Sequence, residues 1–79
     1  MLQFPEPHHG ILTMNILLNG KIEQFDDKLT AAQLVEKLGL EGKRIAMEVN
    51  QEIVPRSSYG SFLLNDNDSV EIINAVGGG

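Results

Sequence analysis

The dipeptide Asn19-Gly20, set between two short alternating segments, constrains this chain more than any other feature. Both residue types tolerate positive φ, so Asn-Gly flanked by alternating apolar residues is the strongest short-range signal for a two-residue β-hairpin. Met14, Ile16 and Leu18 alternate before it, as one face of a strand requires, and Lys21 to Phe25 supply the return strand. Asp26-Asp27-Lys28 is a polar connection that ends the hairpin.

One helix follows. Thr30 is a favourable N-cap and Gln33 stands three residues on, which makes a capping box. Leu29 and Leu34 occupy the two positions of a hydrophobic staple. Ala31, Leu34, Val35 and Leu38 fall on one stripe at helical spacing, and the pattern predicts a helix of about nine residues. Gly39 ends it as a left-handed C-cap, with Leu40 folding back onto Val35.

Strand patterning then resumes. Ile45, Met47 and Val49 alternate, Asn50-Gln51-Glu52 reads as a turn, and Ile53-Val54-Pro55 as a short extended piece. Ser57 to Ser61 reads as irregular, and Phe62 to Leu64 as a short edge strand. Asn65 to Asp68 is a turn with Asn67 in the left-handed region. Ser69 to Val76 is the last strand, with Val70 and Ile72 inward. One helix against four or five strands, without a repeated crossover, predicts an α+β roll of the ubiquitin-like, β-grasp kind with a mixed sheet. The expected division is a disordered extension over 1–13, where Pro5 and Pro7 remove donors, a β-grasp domain over 14–76 and a flexible glycine tail over 77–79.

With 79 residues there is room for one small domain, and little for an enclosed catalytic pocket beside its core. The net charge of −5, with six scattered cations, disfavours nucleic acid and anionic membrane surfaces as partners. The absence of cysteine excludes disulfides, thiol catalysis and Cys-ligated zinc within this sequence, and fits a reducing, cytoplasmic setting. No signal-peptide pattern or membrane-length apolar run occurs.

The tail is where chemistry is expected. Gly77-Gly78-Gly79 directly after a strand adds nothing to a core, and glycines lose the most backbone entropy on ordering. Such a run suits a thin arm entering a channel too narrow for a Cβ. At ~3.4 Å per residue, Asn74 to Gly79 reaches ~20 Å from the body. The reactive group offered is the Gly79 α-carboxylate. A carboxylate resists nucleophilic attack until activated, most simply as an acyl-adenylate that a sulfur nucleophile then converts to a thiocarboxylate. No P-loop pattern is present, so ATP is expected to be used by a partner enzyme and no cofactor to be bound here.

From Met14 to Gly79 the sequence resembles the thiamine-biosynthesis sulfur carriers, the ThiS family. The matching residues are Met14-Asn15-Ile16, Leu18-Asn19-Gly20, Val49-Asn50, Ile53-Val54-Pro55-Arg56-Ser57, Leu64 through Asp66, Asp68, Val70, Glu71 and Ile72, and Ala75-Val76-Gly77-Gly78-Gly79. Tyr59 stands where these carriers often have Trp, and Asn67 where they often have Gly; both are mild changes. The resemblance implies a β-grasp fold and a protein cosubstrate, not an enzyme. It implies adenylation of Gly79 by an adenylyltransferase of the ubiquitin-activating type, with Gly77 and Gly78 threading the partner's channel. It further implies sulfur ultimately from cysteine, through a donor such as a cysteine desulfurase, and delivery to thiazole synthase for the thiazole ring of thiamine.

Other motifs are weighed against plainer readings. Arg56 and Val76 are the candidate partner contacts; a solvated Arg56 at a structural turn is weighed evenly with that role. Tyr59 is read as a core-edge anchor and not a catalytic phenol. Asp66 and Asp68 lack the Gly and bidentate Glu of a calcium loop and read as a turn. Adjacent His8 and His9 lack further ligands, so no metal site is assigned. Asp68-Ser69-Val70 resembles the phosphopantetheine site of acyl carrier proteins, but Ser69 opens a strand pattern and not a helix. The alternatives to a thiamine sulfur carrier are the small subunit of molybdopterin synthase, whose tails more often carry Pro-Pro-Val, an ubiquitin-like protein modifier, and a plain interaction module with incidental glycines.

Overall fold

The computed structural model describes residues 13–74; the extension before Thr13 and the tail with Val76, Gly77, Gly78 and Gly79 lie outside the described residues. The first hairpin joins β1 (Thr13–Leu18) to β2 (Lys21–Asp26), with Leu18 opposite Lys21 across a two-residue loop. Asn19 and Gly20 both have positive φ, 50° and 84°, which matches the right-handed twist of the two strands. β1 begins one residue before Met14, and its alternation is strict: Met14, Ile16 and Leu18 are buried while Thr13, Asn15 and Leu17 are exposed.

The helix α1 (Ala31–Lys37) has seven residues, fewer than the apolar stripe suggested, because Leu38 already serves as its C-cap. The capping box is present: the Gln33 N–H donates to Thr30 Oγ1 at 3.1 Å, and the Thr30 N–H donates to Gln33 Oε1 at 2.9 Å. At the other end Gly39, at φ 70°, donates to the Glu36 carbonyl, and Leu40 donates to the Val35 carbonyl. These two bonds make a Schellman motif that satisfies carbonyls the helix cannot pair itself.

A second hairpin joins β3 (Ile45–Val49) to β4 (Glu52–Val54). Its loop is Asn50-Gln51, both at positive φ, so Glu52 belongs to the strand and not to the turn. A short 3₁₀ turn spans Arg56–Ser58 within the stretch expected to be irregular. Phe62 to Leu64 do not form the expected edge strand; only Leu63 makes an isolated bridge, to Thr30. The reason lies in the helix. Its first N–H groups need acceptors, and the Phe62 and Tyr59 carbonyls accept from Ala31 and Ala32 at 2.9 Å each. The Leu64 N–H in turn donates to the Leu29 carbonyl. The segment from 59 to 64 is therefore drawn across the helix N-terminus and away from the sheet.

The last strand, β5 (Ser69–Asn74), enters the middle of the sheet, giving the order β2-β1-β5-β3-β4. It runs parallel to β1 and antiparallel to β3. This mixed five-stranded sheet with one helix across a single face is the ubiquitin-like β-grasp. Ile16, Leu34, Met47, Leu64 and Val70 are the largest fully buried side chains, so the core is the seam where α1 crosses β1, β5 and β3. Tyr59 is buried at its edge, as expected. Leu29 and Leu34, the staple pair, are both buried in the same cluster.

Candidate functional site

β5 is the element that carries the chain toward Gly79, so the site is built from what fixes β5. On one side it pairs with all five residues of β3, from Val49↔Val70 to Ile45↔Asn74. On the other it pairs with β1 only at Leu17↔Ser69 and Leu18↔Val70, before β1 turns away at Asn19. The central position in the sheet holds the strand; its last residues have a strand neighbour on the β3 side alone.

Side chains anchor the entry to β5. Asp68 is buried, 8% exposed, and both its oxygens accept: Oδ1 from Asn50 Nδ2 at 2.9 Å and Oδ2 from the Asn65 N–H at 2.8 Å. A buried carboxylate is costly unless it is hydrogen-bonded, so these bonds account for its place. Asn50 Oδ1 accepts from the Ser69 N–H at 3.0 Å, and Asn50's own N–H donates to the Ser69 carbonyl at 2.7 Å. Asp66 Oδ1 accepts from the Asn15 N–H at 2.7 Å, and the Asn67 N–H donates to the Asn15 carbonyl. The Asn65–Asp68 turn, with Asn67 at φ 72°, is thereby stitched to the start of β1 and to the β3–β4 loop. The sequence shows the turn and its left-handed residue but gives no sign that Asp68 and Asn50 meet across 18 positions.

Arg56, the one described residue of the two candidate partner contacts, is exposed on the 3₁₀ turn, and its Nη2 donates to the Lys43 carbonyl at 3.1 Å. It lines an open groove together with Val35, Leu40, Lys43, Ile45 and Tyr59. Ile45 is also the partner of Asn74 in the sheet, so Arg56 and the end of β5 flank the same side of the domain. Val76, Gly77, Gly78 and Gly79 lie outside the described residues. Among the described residues no group of three or more His, Asp or Glu side chains converges as a metal site. Ser69 opens a strand.

The sheet face turned away from α1 is mixed in character. Ile22, Ile53 and Ile73 are more than half exposed there, and Leu17 lies opposite Ile22. Glu48 and Glu71 stand directly opposite each other across β3 and β5. No helix among the described residues is long and apolar enough to cross a membrane.

Three comparisons bear on the family. The ThiS family model matches residues 16–79. The sulfur carrier protein ThiS of Bacillus subtilis is 38% identical over 63 residues, covering 78% of this chain and 96% of that protein. A thiazole synthase of Paramagnetospirillum magneticum is 39% identical over 66 residues, which is 84% of this chain but only 20% of that protein, so the chain spans a fifth of that relative's length. Among solved structures, the thiamine biosynthesis protein ThiS of Geobacter metallireducens superposes with a TM-score of 0.73 at 29% identity, covering 84% of this chain and all of that one. With the fold, the Asn19-Gly20 hairpin and the β5 strand leading toward three glycines, these matches establish that the chain belongs to the ThiS family.

Proposed function

We propose that this protein is a sulfur carrier in thiamine biosynthesis that works through the carboxylate of Gly79. The observation that carries the reading is the family match over residues 16–79, which runs from β1 through the central strand to the last glycine. A carrier of this kind has no need of a catalytic pocket. Its folded body supplies a docking surface, and its terminus is the substrate of other enzymes.

The chemistry balances with ATP and a sulfur nucleophile. A Gly79 carboxylate oxygen attacks the α-phosphorus of ATP and pyrophosphate leaves, forming the acyl-adenylate. Hydrosulfide then attacks the acyl carbon; a carbon–sulfur bond forms, the bond to the AMP oxygen breaks, and AMP and a proton are released. The product is the thiocarboxylate. The adenylyltransferase, of the ubiquitin-activating type, holds the ATP, and Gly77 and Gly78 pass through its channel because a Cβ would clash there. In the cell the sulfur is drawn from cysteine through a donor such as a cysteine desulfurase, and a thiol reductant supplies the two electrons that bring its persulfide sulfur to the level of hydrosulfide.

Thiazole synthase is the proposed recipient. The Paramagnetospirillum magneticum and Magnetococcus marinus proteins named thiazole synthase each contain a segment similar to 84% of this chain. Joining carrier and recipient in one chain raises their effective concentration, which is of use where the two must meet.

Intact-mass analysis tests the reading. The purified chain is incubated with an adenylyltransferase of the ThiS-activating kind, ATP and sulfide. The expected result is a mass increase equal to one oxygen-to-sulfur exchange, located on Gly79, and transfer of that sulfur to a thiazole-forming reaction. Transfer to a molybdopterin precursor and not to thiazole, or isopeptide attachment of the chain to lysines, overturns it.

A further inference from the structure

Asn19 has a second role that its place in the hairpin does not require. The turn needs only positive φ at positions 19 and 20. In the structure the Asn19 side chain also reaches β5: its Oδ1 accepts from the Ile72 N–H at 2.8 Å, and its own N–H donates to the Val70 carbonyl at 2.8 Å. Val70 and Ile72 both turn peptide groups toward β1, but the β1–β5 ladder ends at Leu18↔Val70. From Glu71 to Asn74 the strand has a backbone partner on the β3 side only. The Asn19 amide takes the place of the strand residue that β1 no longer provides.

We infer that Asn19 is a positioning residue for the tail: its side chain clamps Ile72, two residues before the end of β5, and so fixes the direction in which the chain leaves the sheet toward Gly79. The inference rests on the sulfur-carrier reading, since it matters only if the tail must be aimed into a partner. The strand on which the tail is mounted would otherwise be held from one side over its last four residues, and such one-sided segments open locally at low cost. A single hydrogen bond of this kind shifts an opening equilibrium roughly fivefold.

Three variants of the full chain separate aiming from folding. Asn19→Gly keeps the positive-φ turn and removes the acceptor. Asn19→Asp keeps both the turn and an acceptor. Thr30→Ala, which removes the helix N-cap, serves as a destabilised control that leaves β5 untouched. Amide exchange followed by NMR reads the clamp directly: Asn19→Gly speeds exchange at Ile72 roughly fivefold or more relative to neighbouring Glu71, and Asn19→Asp restores protection. Steady-state activation by the adenylyltransferase reads the consequence. Asn19→Gly raises the KM for the carrier severalfold with kcat little changed, Asn19→Asp recovers it, and Thr30→Ala does not show it.

Unchanged protection at Ile72 in Asn19→Gly overturns the clamp. Lost protection with an unchanged KM, or an equal KM rise in Thr30→Ala, overturns the positioning role. If the unsubstituted chain is not activated at all, the sulfur-carrier reading fails and the proposed consequence for the tail fails with it, while the exchange measurement still decides whether Asn19 holds the strand.

Discussion

Asp68 and Asn50 show how much one pair of side chains can contribute in so small a domain. Asp68 gathers the Asn65 N–H and the Asn50 amide at the point where β5 begins. Asp68→Ala removes the buried acceptor that two part-buried hydrogen bonds share, from the exposed residues Asn50 and Asn65. It is expected to destabilise the fold by about 2–3 kcal/mol, measured as a lower urea midpoint with unchanged slope. The sequence reading of Asn65 to Asp68 as a turn agrees with the turn that is found. What could not be read was the partner, because a hydrogen bond across 18 positions leaves no periodic trace. Asn19 and Asn50 share this quality: the sequence marks each as a turn residue, and only the assembled sheet brings their amides to β5.

At the scale of elements, local signals were reliable where the physics is local. The Thr30–Gln33 capping box and the left-handed Gly39 that follows the Leu38 C-cap involve residues close in sequence, and both are present with their bonds. Gly39→Ala meets no atom within 4 Å of the added Cβ, so its cost is that of holding a non-glycine residue at φ 70°. The expected loss is roughly 1 kcal/mol, seen as a lowered melting temperature. Phe62 to Leu64 misled because their apolar character suits an edge strand, yet their peptide groups pair around the helix N-terminus. The sheet also holds one local conflict, Glu48 opposite Glu71. Glu71→Lys replaces repulsion with attraction between cross-strand neighbours, so a gain of about 0.2–1 kcal/mol is expected at low salt, shrinking as salt is added.

Over the whole molecule, the proposed function divides labour between a folded body and a terminal acid. The body buries a single core between α1 and the sheet, and β5, its most central strand, leads the chain toward the glycines. If the tail only carries chemistry, deleting Gly79 leaves the denaturation curve of the domain unchanged while abolishing the mass gain on activation. A deletion that lowers the unfolding midpoint assigns the tail a structural part instead.

The sequence by itself determined the Asn19-Gly20 hairpin, the place of a turn after Val49, the capped helix and its buried face, because these depend on φ preferences, short hydrogen bonds and apolar periodicity among near neighbours. It also carried the family resemblance, through motifs that run to the last residue. Tertiary structure alone decided the order β2-β1-β5-β3-β4, the path of residues 59–64 and the clamps on β5. Those depend on which backbone groups remain unpaired once the elements pack, a quantity that exists only after the chain has been brought together.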